Sequence, residues 1–107
     1  MIKHIVQFNL KPEVDASDRD RLFQQIKSMA KLPSVNALHI GRLLEPNEEW
    51  YIARLNKEYL WALIMDFNTE ADLYTYQKCA EHEVVAAELR KRVDGLLRIV
   101  DFVSRSE

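Results

Sequence analysis

Residues 59–67 read Tyr59-Leu60-Trp61-Ala62-Leu63-Ile64-Met65-Asp66-Phe67, and this stretch decides the fold. A strand turns alternate side chains to opposite faces, so Tyr59, Trp61, Leu63, Met65 and Phe67 line one side. Leu60, Ala62 and Ile64 line the other. Residues 96–103 repeat the pattern, with Leu96, Val100 and Phe102 against Leu97, Ile99 and Val103. Near the N-terminus, residues 2–10 alternate more gently: Ile2, His4, Val6, Phe8 and Leu10 share one face, and Lys3, Ile5, Gln7 and Asn9 the other. A fourth strand spans residues 35–44, with Leu38, Ile40 and Leu44 against Val35, Ala37, His39 and Leu43.

Two helical regions separate these strands. The first starts near Ser17, a favourable N-cap with Asp20 in the capping-box position. Leu22, Phe23, Ile26, Met29 and Ala30 then form one apolar stripe, which Pro33 ends. The second opens at Thr69, with Asp72 three residues on, and runs from about 70 to 93. The basic run Arg90-Lys91-Arg92 closes it, where cations suit the negative end of the helix dipole. Between strands two and three, the polar run from Glu45 to Glu49 turns the chain. Residues 50–55 read either as a ragged strand or as a loop with one helical turn.

The order β-α-β-β-α-β, with short connections and right-handed crossovers, predicts an α+β fold. Its form is the ferredoxin-like split βαβ, a four-stranded antiparallel sheet with both helices on one face. The whole chain, residues 1–107, reads as one domain. Helices on one face leave the other toward water, where a monomer should be polar. Leaving three or four large apolar side chains there forfeits ~1.5–3 kcal/mol each, against a net stability of only ~5–15 kcal/mol. The expected remedy is a homodimer that packs the open sheet faces together; the alternative is that residues 50–55 fold back over that face.

Composition narrows the function classes. Hydrophobic residues make up 48% and charged residues 30%, the profile of a globular chain. A formal net charge of −2 gives no reason to expect nucleic acid or an anionic membrane as partner. The apolar stretch 2–10 is broken by Lys3, His4, Gln7 and Asn9, so neither a signal peptide nor a membrane span is expected. Cys79 is the only cysteine, which excludes an internal disulfide and fits a reducing cytoplasm.

Several segments together resemble the stress-responsive A/B barrel (Dabb) family. They are the opening Met1-Ile2-Lys3-His4-Ile5-Val6, Gly41 late in the second strand, the segment Tyr76-Gln77-Lys78-Cys79-Ala80-Glu81-His82, and the closing Ile99-Val100-Asp101-Phe102. The resemblance covers essentially the whole chain. It implies a ferredoxin-like unit that dimerises into a shared α/β barrel, and a family most of whose members have no assigned reaction. Some members resemble a polyketide cyclase in which a helix histidine acts as base beside a tyrosine. His82 and Tyr76 match those positions, and His4 matches the family's first-strand histidine. Where the family often carries His-Pro, this chain has Cys79-Ala80.

Tyr76 and His82 are therefore the candidate catalytic pair, with His4, Leu73 and Val85 lining the cavity. Six residues apart on an unbroken helix, the pair would point about 120° away from each other. Leu73 and Tyr76 define one inward stripe, and His82, Val85 and Leu89 another, so a phase shift near residues 79–81 would turn both toward the sheet. If they converge, a neutral imidazole can take a proton and the phenol can donate to a developing enolate. The structural alternative is a core histidine bonded to a carbonyl beside a packing tyrosine. His39 has no evident partner and reads as structural.

Other chemistries find little support. His82-Glu83-Val84-Val85-Ala86 begins like a zinc-protease helix but lacks the second histidine, so no metal is expected. Cys79 has no partner cysteine and is expected at the C-terminal end of a helix. Gly41 and Gly95 form no phosphate loop, so no nucleotide cofactor is expected. Trp50 and Tyr51 either flank a cavity mouth or pack at a dimer edge. The leading expectation is a barrel protein that binds a small apolar or aromatic molecule, or serves a stress response without assigned chemistry. The runner-up is a cofactor-independent cyclase or isomerase acting on a carbonyl compound, and the third is an assembly protein without ligand.

Overall fold

The computed structural model describes residues 1–105. Strands β1 (Ile2–Phe8), β2 (Ala37–Arg42), β3 (Trp61–Phe67) and β4 (Arg98–Val103) form one sheet in the order β2-β3-β1-β4, every neighbouring pair antiparallel. Helices α1 (Ala16–Ser28), α3 (Glu70–Lys78) and α4 (Ala80–Arg92) pack on one face, and a short helix α2 (Glu49–Ile52) lies in the β2–β3 connection. This is the ferredoxin-like α+β architecture, and all four strands are shorter than the alternation predicts, β1 ending at Phe8 before Asn9 and Leu10. Leu96 and Leu97 precede β4, Tyr59 and Leu60 precede β3, and β2 loses two residues at each end.

The core follows from the register. His4 lies opposite Met65 and Asp101, and Val6 opposite Leu63 and Ile99, so alternate residues of β1 and β3 point together at the helices. Phe8, Met65 and Phe67 are fully buried there with Leu22 and Ile26 of α1.

Helix α1 starts one turn-fraction earlier than its sequence pattern indicates. Its N-cap is Asp15, whose carboxylate accepts the Asp18 N–H at 2.8 Å, and Ser17 already lies inside the helix. An ionised carboxylate accepts this bond more strongly than a serine hydroxyl would. Thr69 does cap α3, accepting the Asp72 N–H. At the far end of α4, Arg92 donates to Asp18 of α1 at 2.9 Å and to Glu88 at 2.8 Å, tying the two helices together.

The second helical region is two helices. Tyr76 and Val85 are both buried, yet nine residues on a continuous helix would place them about 180° apart. Burying both requires a break, and it falls at Cys79, whose backbone is extended (φ −74°, ψ 153°). Cys79 ends α3, its N–H reaching the Tyr76 carbonyl. It also begins α4, its Sγ accepting the His82 N–H at 3.4 Å. The expectation of a helix C-terminus for Cys79 is thus only half of its position.

The open face carries Ile5, Ile64, Val100 and Phe102, adjoining one another across β3, β1 and β4. Phe102 is 56% exposed and Ile64 37%. Trp50 and Tyr51 of α2 are themselves exposed, so the fold-back of residues 50–55 over this face does not occur. His39 also lies on the open face and is exposed.

Candidate active site

A cavity of about 80 Å³ lies between the sheet and the helices. The sheet contributes His4 and Val6 of β1 and Leu63 of β3; the helices contribute Tyr76, His82 and Arg90. The break at Cys79 brings the candidate pair together: the rings of Tyr76 and His82 meet edge to face, their centroids 4.6 Å apart. Val85 lines the cavity. Leu73 does not, because it sits one turn before Tyr76 and packs into the solid core. Trp50 and Tyr51 do not border the cavity either.

The two histidines are held in different ways. His4 is 3% exposed and its Nδ1 lies 2.6 Å from Asp101 Oδ1 on the neighbouring strand. Its Nε2 faces the Gln77 amide at 3.5 Å. A carboxylate can only accept, so Nδ1 donates its hydrogen to Asp101, while Nε2 faces the side-chain amide of Gln77. His82 has no such anchor. Its Nδ1 is buried without a hydrogen-bond partner among the described residues.

Burial shapes the protonation of the pair. Loss of water disfavours the imidazolium and holds His82 below its ordinary value of 6.5. The Gln77 backbone opposes that shift without reaching hydrogen-bonding geometry with Nδ1, while the cationic Arg90 reinforces it. Tyr76, 2% exposed, is pushed well above the ordinary phenol range, again chiefly by burial. At neutral pH the site therefore holds a neutral imidazole, able to accept a proton, against a neutral phenol, able to donate a hydrogen bond.

Asp101 and Gln77 belong to this arrangement although sequence reasoning assigned them no role. The signal for Asp101 was present: it is the only acid in a closing strand whose other residues after Arg98 are Ile99, Val100, Phe102 and Val103. Linking it to His4 needs the register of two strands almost a full chain length apart.

The family model described as the stress-responsive A/B barrel domain matches residues 2–104. The chain belongs to this family. No curated protein sequence matches this Dabb chain, but solved structures share its fold. A protein of Arabidopsis thaliana superposes with a TM-score of 0.83 at 17% identity, covering 100% of this chain and 98% of that one. A hydroxynitrile lyase from Passiflora edulis gives 0.82 at 15% identity, covering 99% and 94%. A dimeric ferredoxin-like protein of unknown function from Thermobifida fusca gives 0.76 at 18% identity, covering 96% and 90%. At these identities the likeness establishes the fold. Without a proline, Cys79-Ala80 still breaks the helix, with the Cys79 sulfur as cap.

Proposed function

We propose that this Dabb protein binds a small carbonyl compound in the cavity and moves a proton on it without a cofactor, with His82 as base and Tyr76 as hydrogen-bond donor. The observation that carries this reading is the buried, unpartnered His82 Nδ1 beside a buried, protonated phenol. A merely structural histidine would be expected to bond its buried nitrogen, because leaving one unsatisfied costs about 1–3 kcal/mol. A site that keeps such a group free trades stability for chemistry.

The step balances within the site. His82 takes a proton from the carbon beside the carbonyl, and the C–H electron pair moves into the enolate. The enolate oxygen accepts the Tyr76 hydrogen bond, and the imidazolium returns a proton to carbon. His4, held by Asp101 and Gln77, forms the opposite wall and adds a polar group that can orient the substrate. The small volume favours a ligand of few heavy atoms, compact apolar or aromatic molecules included. The hydroxynitrile lyase among the structural neighbours supports a fold able to host enzyme activity.

The test is deuterium exchange at the α-carbons of small ketones and keto acids in D₂O, followed by NMR. Exchange catalysed by the wild-type protein should be lost in His82→Ala. Equal rates with and without the protein, or full activity in His82→Ala, would end the proposal.

We further propose that the protein is a homodimer through its open sheet face, in a reducing compartment such as the cytoplasm. The contiguous patch of Ile5, Ile64, Val100 and Phe102 supports this, as do neighbours of the same fold that are dimeric. Sedimentation at micromolar concentration should give a dimer that Ile64→Arg dissociates. A well-folded monomer in the wild type would contradict it.

A further inference from the structure

The last turn of α4 carries three cations that are used differently. Lys91 pairs with Glu88 at 3.3 Å, and Arg92 pairs with both Asp18 and Glu88. Arg90 pairs with no carboxylate among the described residues. The residues one turn earlier on its side of the helix are Ala86 and Ala87, which offer it no charge. Arg90 is exposed and still lines the cavity, so it stands at the cavity mouth.

Among the described residues nothing else lining the cavity carries a permanent charge, and no carboxylate borders it. The interior is mainly Val6, Leu63, Val85 and Leu89, with Tyr76, Gln77 and the two histidines close to one another. A lone guanidinium at the entrance of a neutral pocket presents unused donors, which a planar carboxylate satisfies in pairs. Its field reaches the reacting end of the site, since the Arg90 charge acts on His82.

We propose that Arg90 is the specificity-determining residue of the site, and that the substrate is a small keto acid whose carboxylate Arg90 holds. The inference rests on the acid–base reading above and narrows its substrate class. With the carboxylate at the mouth, the carbonyl and its α-carbon extend inward between Tyr76 and His82. A neutral ketone of the same size lacks that anchor.

Pyruvate and pyruvamide form a matched pair, alike in size and differing in charge. In the exchange experiment the wild-type protein should show a KM for pyruvate about tenfold below that for pyruvamide, a preference that 0.5 M salt weakens. Arg90→Gln should bring the ratio of the two KM values close to one, and Arg90→Lys should restore part of it, because the charge remains but the planar fork is gone. Arg90 has no carboxylate partner to lose among the described residues, so neither variant should unfold the protein. A wild-type ratio near one, or a preference for pyruvate that survives in Arg90→Gln, overturns the inference.

Failure of the acid–base reading would look different. If the wild-type protein exchanges neither probe, titration of ¹⁵N-labelled protein with both reads Arg90 alone. Shifts that favour pyruvate and vanish in Arg90→Gln would sustain the carboxylate site without the chemistry. Equal shifts, or none with either probe, would overturn it.

Discussion

The strand wall and the helix wall of the cavity each present a histidine, and they treat it oppositely. On the strand wall His4 is anchored at both nitrogens, by Asp101 and by Gln77. On the helix wall His82 is buried with Nδ1 unpaired, pressed against Tyr76. An imidazole with partners at both nitrogens is fixed in orientation. An unsaturated, desolvated one stays neutral and open to a proton. On this contrast rests the proposed division, in which His4 holds the site and His82 takes the proton.

That division can be broken from either side. The largest effect is expected at the helix wall, where His82→Ala should lower catalysed exchange by ~10²–10⁴. Tyr76→Phe should lower it by ~10²–10³ through loss of the donor to the enolate oxygen. On the strand wall, Asp101→Asn should act first on stability. It removes the charge from a hydrogen bond whose carboxylate is partly exposed, so the loss is about 1 kcal/mol in urea denaturation. Should Asp101→Asn instead cost as much activity as His82→Ala, the roles assigned to the two walls would have to be exchanged.

A smaller effect belongs to the junction. Cys79→Ala removes the sulfur cap of α4 and should cost about 0.5–1 kcal/mol, while Cys79→Ser, keeping an acceptor, should be close to neutral. The pH dependence sharpens the comparison further. The folded protein resists protonating His82, so below pH 6.5 the unfolded chain binds more protons and stability falls as the pH is lowered. Urea midpoints at pH 7.5 and 5.5 should differ by less in His82→Ala than in the wild type.

Much of this was legible in the sequence. Period-two alternation located all four strands, and the double-sided apolar patterns of residues 59–67 and 96–103 pointed to an open apolar face, on which the structure leaves Ile64 and Phe102 exposed. The phase difference between Leu73-Tyr76 and Val85-Leu89 marked residues 79–81 as the place where a break would turn both stripes inward, although the region was read as one helix. What was hidden was the device. A cysteine carries little expectation as an N-cap, and its double use at Cys79 depends on tertiary burial of both stripes rather than on local preference. Asp15 was passed over for Ser17 because both are good caps and only the turn geometry separates them. The His4–Asp101 contact depends on β1 and β4 becoming neighbours, and the freedom of Arg90 depends on where Asp18 and Glu88 find their partners. Pairings across the whole chain leave almost no local trace.

The most direct test of the account is an NMR titration of the His82 imidazole with selectively labelled histidine. The account predicts that His82 titrates below 6.5, is neutral at pH 7, and shifts its resonances clearly when Tyr76 becomes phenylalanine. A His82 that titrates at or above 6.5 and ignores the change at Tyr76 would show that the two side chains do not share one buried site.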